Sequence, residues 1–275
     1  MPAPTARRPS PRSWATATLS LSLLAGCAQT PPPTAAPGTE VAMAHSLTGP
    51  DTRPVVVLQS GLGDDRSAWS AWWPRLTARH RAFAADRPGY GATPAGAGPH
   101  DPCTAARQLH QALRDARVEP PYLLVGHSLG GLYQVAFARM YPQDTAGLLL
   151  LDPTHPAHWT TLQRDARPAA AVLAGLRATV FSATMRAEFD AQSQCLDTLP
   201  PLPAGLPARL LFSGRFGPLE GPDYQRTLQA LRHDWQRLLA APAETVLGSG
   251  HYLQQEAPAE VNQALEQLLQ ALPPR

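Results

Sequence analysis

The chain has 275 residues, 44% of them hydrophobic and 16% charged, with a formal net charge of +2. That composition supports a sizeable buried core and argues against general disorder. There is no basic run to suggest nucleic acid and no acidic tail to suggest a charged partner. All 23 basic residues are Arg, which excludes chemistry needing a lysine amine, such as a Schiff base or a pyridoxal phosphate linkage.

The N-terminus reads as an export signal. Arg7, Arg8 and Arg12 precede a short apolar stretch, Trp14 to Leu24, too short to span a membrane. The stretch ends in Leu24-Ala25-Gly26-Cys27, which resembles the lipobox of bacterial lipoproteins. The resemblance implies cleavage before Cys27, acylation of its thiol, and an exported domain held to the cell envelope by a lipid anchor on its periplasmic or cell-surface side. Residues 1–26 are then the signal. Residues 27–39, with Pro31-Pro32-Pro33, read as a flexible tether. A folded domain is expected over 40–275. In an exported protein the remaining cysteines, Cys103 and Cys195, can pair as a disulfide.

From there strands and helices alternate. Val55-Val56-Val57-Leu58 reads as a buried strand. Residues 66–79 read as a helix with Trp69, Trp72, Trp73 and Leu76 on one side, and 82–85 as a short strand ending at Asp86. Residues 102–117 suggest a helix capped by Asp101, with Pro102 in its first turn. Tyr122-Leu123-Leu124-Val125 is a strand, Leu129 to Met140 a helix, and Gly147 to Leu151 a strand. Residues 153 to about 207 break the rhythm, with helical stretches around 158–176 and 183–197. The alternation then resumes with a strand at 209–212, a helix at 223–240, a strand at 243–248 and a helix at 257–271. This pattern predicts an α/β fold with a mostly parallel central sheet flanked by helices. The broken stretch is an insertion over the end of the sheet, a helical lid.

The sharpest motif is Gly126-His127-Ser128-Leu129-Gly130-Gly131, a G-x-S-x-G between a hydrophobic strand and a helix. A nucleophilic serine on a tight strand-to-helix turn needs minimal neighbours two residues away on either side. This turn resembles the nucleophile turn of the α/β-hydrolases, and the resemblance spans roughly residues 50 to 272. It implies the α/β-hydrolase fold, Ser128 as nucleophile, and an oxyanion hole formed by the backbone N–H groups of Leu129 and Leu62, the latter in Gln59-Ser60-Gly61-Leu62-Gly63. The family often has His-Gly where this chain has Ser60-Gly61. Asp86-Arg87-Pro88-Gly89-Tyr90-Gly91 also resembles the family and reads as a structural turn.

The base is His251, in a glycine-rich loop between the last strand and the last helix. His127 reads as packing. His155 and His158, three apart, could suggest a metal pair but lack a third ligand. The acid is less direct. Most relatives place an Asp after the strand at 209–212, where this chain has Gly217. Asp152, at the end of the preceding strand, resembles the acid of some lipases of this fold; Glu220 and Asp223 remain alternatives. The resemblance implies hydrolysis of a small-molecule carboxyl ester through Ser128, His251 and Asp152, with no metal or organic cofactor. Lid side chains Leu173, Leu176, Val180, Phe181 and Phe189 could line an acyl pocket or form the lid's own core. Rival readings are an acyltransferase or amidase with the same triad, and a non-enzymatic envelope lipoprotein on a hydrolase scaffold.

Overall fold

A computed structural model describes residues 41–218 and 220–273. The signal segment, Cys27 and the tether lie outside the described residues. A seven-stranded sheet runs in the order β1-β3-β2-β4-β5-β6-β7. Its strands are β1 (His45–Thr48), β2 (Val55–Gln59), β3 (Ala82–Ala85), β4 (Tyr122–His127), β5 (Thr145–Leu151), β6 (Ala208–Ser213) and β7 (Ala243–Val246). β1 pairs antiparallel with β3, and the other pairs are parallel.

The strand sequences are unbroken apolar runs because both faces of the sheet are covered. Successive side chains take opposite faces. Val57, Leu124 and Leu150 join one buried cluster with α2 (Pro102–Asp115) and α3 (Leu129–Met140). Val56, Leu123 and Leu149 join the other with α1 (Trp73–Thr77), α8 (Leu253–Glu256) and α9 (Pro258–Gln270). Asp101 caps α2 by accepting from the Thr104 N–H, and Pro102 occupies its first turn.

Three helices lie between β5 and β6: α4 (His158–Asp165), α5 (Arg167–Thr179) and α6 (Ala183–Ala191). The helix expected over 158–176 is two, broken at Ala166 (φ −138°, ψ 55°), because Pro168 has no N–H to donate to the Arg164 carbonyl. The helix expected over 66–79 is a 3₁₀ turn at Arg66–Trp69 followed by the short α1. Pro74 is the cause there, since it cannot donate back to Ser70. Trp69, Trp72 and Leu76 nonetheless bury fully in one cluster. β1 was absent from the sequence reading, as its four residues carry only a weak apolar pattern.

The topology places the site. From β2 the chain steps outward to β3, then returns past β2 to β4. Loops leaving the C-terminal ends of β2 and β4 therefore diverge and open a crevice. Residues 60–63 and Ser128 stand at that switch point.

Candidate active site

Ser128 occupies the β4–α3 junction with φ 53° and ψ −123°, a conformation that costs a non-glycine residue about 1–3 kcal/mol. The surroundings enforce it. The Ser128 N–H donates to the Leu151 carbonyl, and the Ser128 carbonyl accepts from both Gly131 and Thr154, each at 3.0 Å. The flanking glycines are sterically obligatory. A Cβ at Gly126 would stand 2.5 Å from the Gly130 carbonyl oxygen, and one at Gly130 would stand 2.1 Å from that of Gln59. The Ser128 hydroxyl lies 3.4 Å from Thr154 Oγ1.

The loop after β2 closes over the serine. A Cβ at Gly61 would be 3.2 Å from Ser128 Cβ. Ser60 anchors this loop. Its hydroxyl donates to the Asp65 carbonyl and accepts from Trp69 Nε1. The Leu129 N–H opens α3, where helical geometry supplies no carbonyl partner. Among the described residues neither Leu129 nor Leu62 donates its amide in a backbone hydrogen bond outside the regular elements.

His251 lies on the loop between β7 and α8, and its imidazole Nδ1 is 2.8 Å from Asp152 Oδ2. The imidazole's outer edge stays open (47% exposed), whereas Asp152 is buried (8%). Three contacts hold the loop: Glu256 accepts from the Gly250 N–H, the Ser249 carbonyl accepts from the Arg215 N–H, and His127 Nε2 donates to the His251 carbonyl. His127 thus does more than pack.

Asp152 is held on both carboxylate oxygens. Arg232, from α7 (Pro222–Leu239), donates to Oδ1 at 2.7 Å, and the Ser213 hydroxyl donates to Oδ2 at 2.8 Å. Burial works to raise the Asp152 pKa. The hydrogen bond and charge of His251, the charge of Arg232 and the Ser213 hydroxyl outweigh it, so the carboxyl stays ionised well below the usual range. For His251, burial works to lower the pKa. The Asp152 hydrogen bond and charge, with Glu220 and Asp64 adding, bring it above its ordinary value. His127 is driven down to about 3 by burial and by the neighbouring His251 charge, so it is a neutral ring.

Asp223 and Glu220 make their contacts elsewhere. Asp223 is exposed and paired with Arg226, and Glu220 accepts from the Gly217 N–H in its own turn. His155 and His158 do not act as a pair. His155 bonds Asp234 of α7 at 3.0 Å. His158, held neutral with a pKa of about 4 by burial and then by His251 and His155, belongs to the surroundings of His251. Among the described residues the one cluster of three metal-type side chains is Asp101, Cys103 and Cys195. Its cysteines are joined to each other as a disulfide, Cα–Cα 6.3 Å.

The insertion's apolar side chains divide. Phe189 packs edge-on against Trp159 and Phe181, at 5.2 and 5.7 Å between ring centroids. Leu173 joins a small core with Leu162, Ala166 and Ala170. Leu176 and Val180 are exposed. The sequence reading missed Arg232, Ser213 and Asp64. None of the three carried a local sequence signal. Asp64, in the loop after β2, approaches His127 Nδ1 to 3.9 Å. Burial raises its pKa, partly offset by Arg87 and His251.

The family model described as "Alpha/beta hydrolase family" matches residues 55–264. The chain belongs to the alpha/beta hydrolase family. This hydrolase resembles the proposed carbamate hydrolase RutD of Escherichia coli (strain UTI89 / UPEC), at 37% identity over 114 residues. That stretch is 40% of this chain and 41% of RutD, so the match spans about two fifths of that relative's length. Among solved structures, a thermophilic esterase from Thermogutta terrifontis superposes with a TM-score of 0.61 at 22% identity, covering 88% of this hydrolase and 98% of the esterase. Carboxylesterase NP, the naproxen esterase of Bacillus subtilis, superposes with a TM-score of 0.56 at 18% identity, covering 82% and 86%. At these identities the structural likeness speaks to the fold.

Proposed function

We propose that this hydrolase cleaves small carboxyl esters through an acyl-enzyme on Ser128, with His251 as general base and Asp152 as its acid partner. The observation that carries this reading is the 2.8 Å contact between His251 Nδ1 and Asp152 Oδ2, together with a serine held at φ 53° on the β4–α3 turn. With Nδ1–H donated to Asp152, the imidazole presents Nε2 as its acceptor, the tautomer a general base needs.

The steps follow from these atoms. Ser128 Oγ attacks the ester carbonyl carbon while His251 Nε2 takes the hydroxyl proton. The tetrahedral oxyanion accepts from the Leu62 and Leu129 N–H groups. Collapse expels the alcohol, which leaves with the proton from His251. Water, deprotonated by the same imidazole, attacks the acyl-enzyme and frees the acid and Ser128. The resting Ser128 hydroxyl faces Thr154, and such sites commonly tighten only around substrate.

The lipobox-like Leu24-Ala25-Gly26-Cys27 supports an envelope-anchored enzyme. The Cys103–Cys195 disulfide fits an oxidising compartment outside the cytoplasm.

Stopped-flow hydrolysis of p-nitrophenyl esters of graded acyl length tests the chemistry. The expected result is a p-nitrophenol burst stoichiometric with enzyme that disappears in Ser128→Ala. Added alcohols that capture the acyl group faster than water would mark an acyltransferase. A folded protein with neither burst nor turnover on any ester or amide would leave a binding role instead.

A further inference from the structure

The Asp86–Gly91 segment reads from sequence as a structural turn, and in part it is one. Asp86 accepts from the backbone N–H groups of Arg66 and Ala92. Arg87, however, reaches out of the turn. Its side chain is buried (3% exposed). Nη1 donates to the Ser60 carbonyl at 2.6 Å and Nη2 to the Gly61 carbonyl at 2.7 Å. The rest of the fork grips a carboxylate of the β5–β6 insertion: Nε to Glu188 Oε1 at 2.7 Å and Nη2 to Glu188 Oε2 at 3.1 Å. The Tyr90 hydroxyl donates to the same Glu188 carboxylate at 2.7 Å and lies 3.4 Å from the Gly63 N–H.

The Gly61 carbonyl and the Leu62 N–H belong to one peptide unit. That unit is planar and trans, so its C=O and N–H point in opposite directions. A guanidinium fixed on the carbonyl side therefore fixes the direction of the N–H on the other side, the side offered to the oxyanion. We infer that Arg87 is the positioning residue that aims the Leu62 amide, and that Glu188 of α6 holds Arg87 in that pose. The inference rests on the serine-hydrolase reading above.

The residue types fit this task. Only a planar guanidinium presents enough donors in fixed directions to hold two carbonyls and a carboxylate at once; a lysine ammonium is a point charge on a flexible stem. Burial makes the arrangement all-or-none, because either ion left alone would be a desolvated charge. The insertion helix is pressed onto the same loops. A Cβ at Gly89 would meet Thr184 Oγ1 at 2.4 Å, and one at Gly63 would meet Met185 Cε at 3.0 Å. This part of the insertion is a fixed wall whose seating determines the geometry of the oxyanion hole.

The test compares wild type with Arg87→Lys and with the double variant Arg87→Met/Glu188→Leu. The double variant removes both charges and leaves no lone buried ion, a replacement often neutral for stability. Steady-state ester kinetics are normalised to sites titrated with a fluorophosphonate at completion, beside thermal unfolding. Removing one oxyanion donor outright costs about 10²–10³-fold in kcat. A donor that is misaimed but still present is expected to cost about 10–100-fold, with KM nearly unchanged and the phosphonylation rate falling in parallel. Arg87→Lys is expected to show the same kcat-specific loss. A purely structural role would reduce the titratable fraction and leave kcat per site intact, and a folded double variant with wild-type kcat per site would overturn the inference. A wild type that neither turns over esters nor labels would instead overturn the serine-hydrolase reading, and this inference with it.

Discussion

His127 Nε2 donates to the backbone carbonyl of His251 at 2.9 Å. The residue before Ser128 thereby holds the loop that carries His251. The two rings stand 4.7 Å apart between centroids, and the low pKa of His127, about 3, keeps a second positive charge away from His251. Strand β4 thus fixes both Ser128 and the seat of His251.

His127→Phe keeps a ring of similar shape and removes the donor. A hydrogen bond of this kind contributes about 0.5–1.5 kcal/mol. The expected result is a stability loss of that order with a several-fold lower kcat, read by denaturant unfolding and ester kinetics. Unchanged kcat would mean that the contact is packing alone.

The acid assignment separates cleanly by mutation. Asp152→Asn keeps the shape but loses the charge, and in a serine triad this change costs on the order of 10⁴-fold in kcat. Asp223→Asn and Glu220→Gln are expected to leave kcat close to wild type, since neither side chain bonds His251. Steady-state turnover of the three variants decides between them.

The pH profile follows from the same pair. His251 must be neutral to accept a proton, and its pKa is raised above the ordinary 6.5. The rising limb of kcat/KM is therefore centred above that value. No second limb from Asp152 is expected near neutrality, because its carboxyl ionises below the usual 3.8. The stability signs are opposite for the two groups. The depressed Asp152 stabilises the fold above its unfolded value and loses that contribution as pH falls through its folded pKa. The raised His251 stabilises it below its unfolded value and loses that contribution as pH rises through its folded pKa. Asp152→Asn should move the kcat/KM limb to lower pH and flatten both stability trends.

The Cys103–Cys195 disulfide closes a 92-residue separation between α2 and the end of the insertion. A crosslink over such a loop contributes about 2–4 kcal/mol. Cys103→Ser/Cys195→Ser is expected to unfold at a lower temperature, and reduced wild type should match it in a calorimetric scan.

Much of this was legible before the structure. Apolar runs such as Val55–Leu58 gave the sheet because strands covered on both faces need no polar alternation. Gly126 and Gly130 marked the tight turn around Ser128 because a Cβ at either would clash with backbone. What escaped depended on residues meeting across long stretches of chain. Arg232 lies 80 residues from the Asp152 it holds, and Glu188 lies 101 from Arg87. No local pattern marks either pair. The helix boundaries missed at Ala166 and near Trp72 had a local cause, in Pro168 and Pro74, that apolar periodicity alone overrode.

The most direct measurement is peptide mapping by mass spectrometry after fluorophosphonate treatment of the folded domain. The account predicts one adduct, on the peptide carrying Ser128, forming faster as His251 deprotonates and absent in Ser128→Ala. An adduct on another residue, or none on a folded wild-type protein, would contradict it.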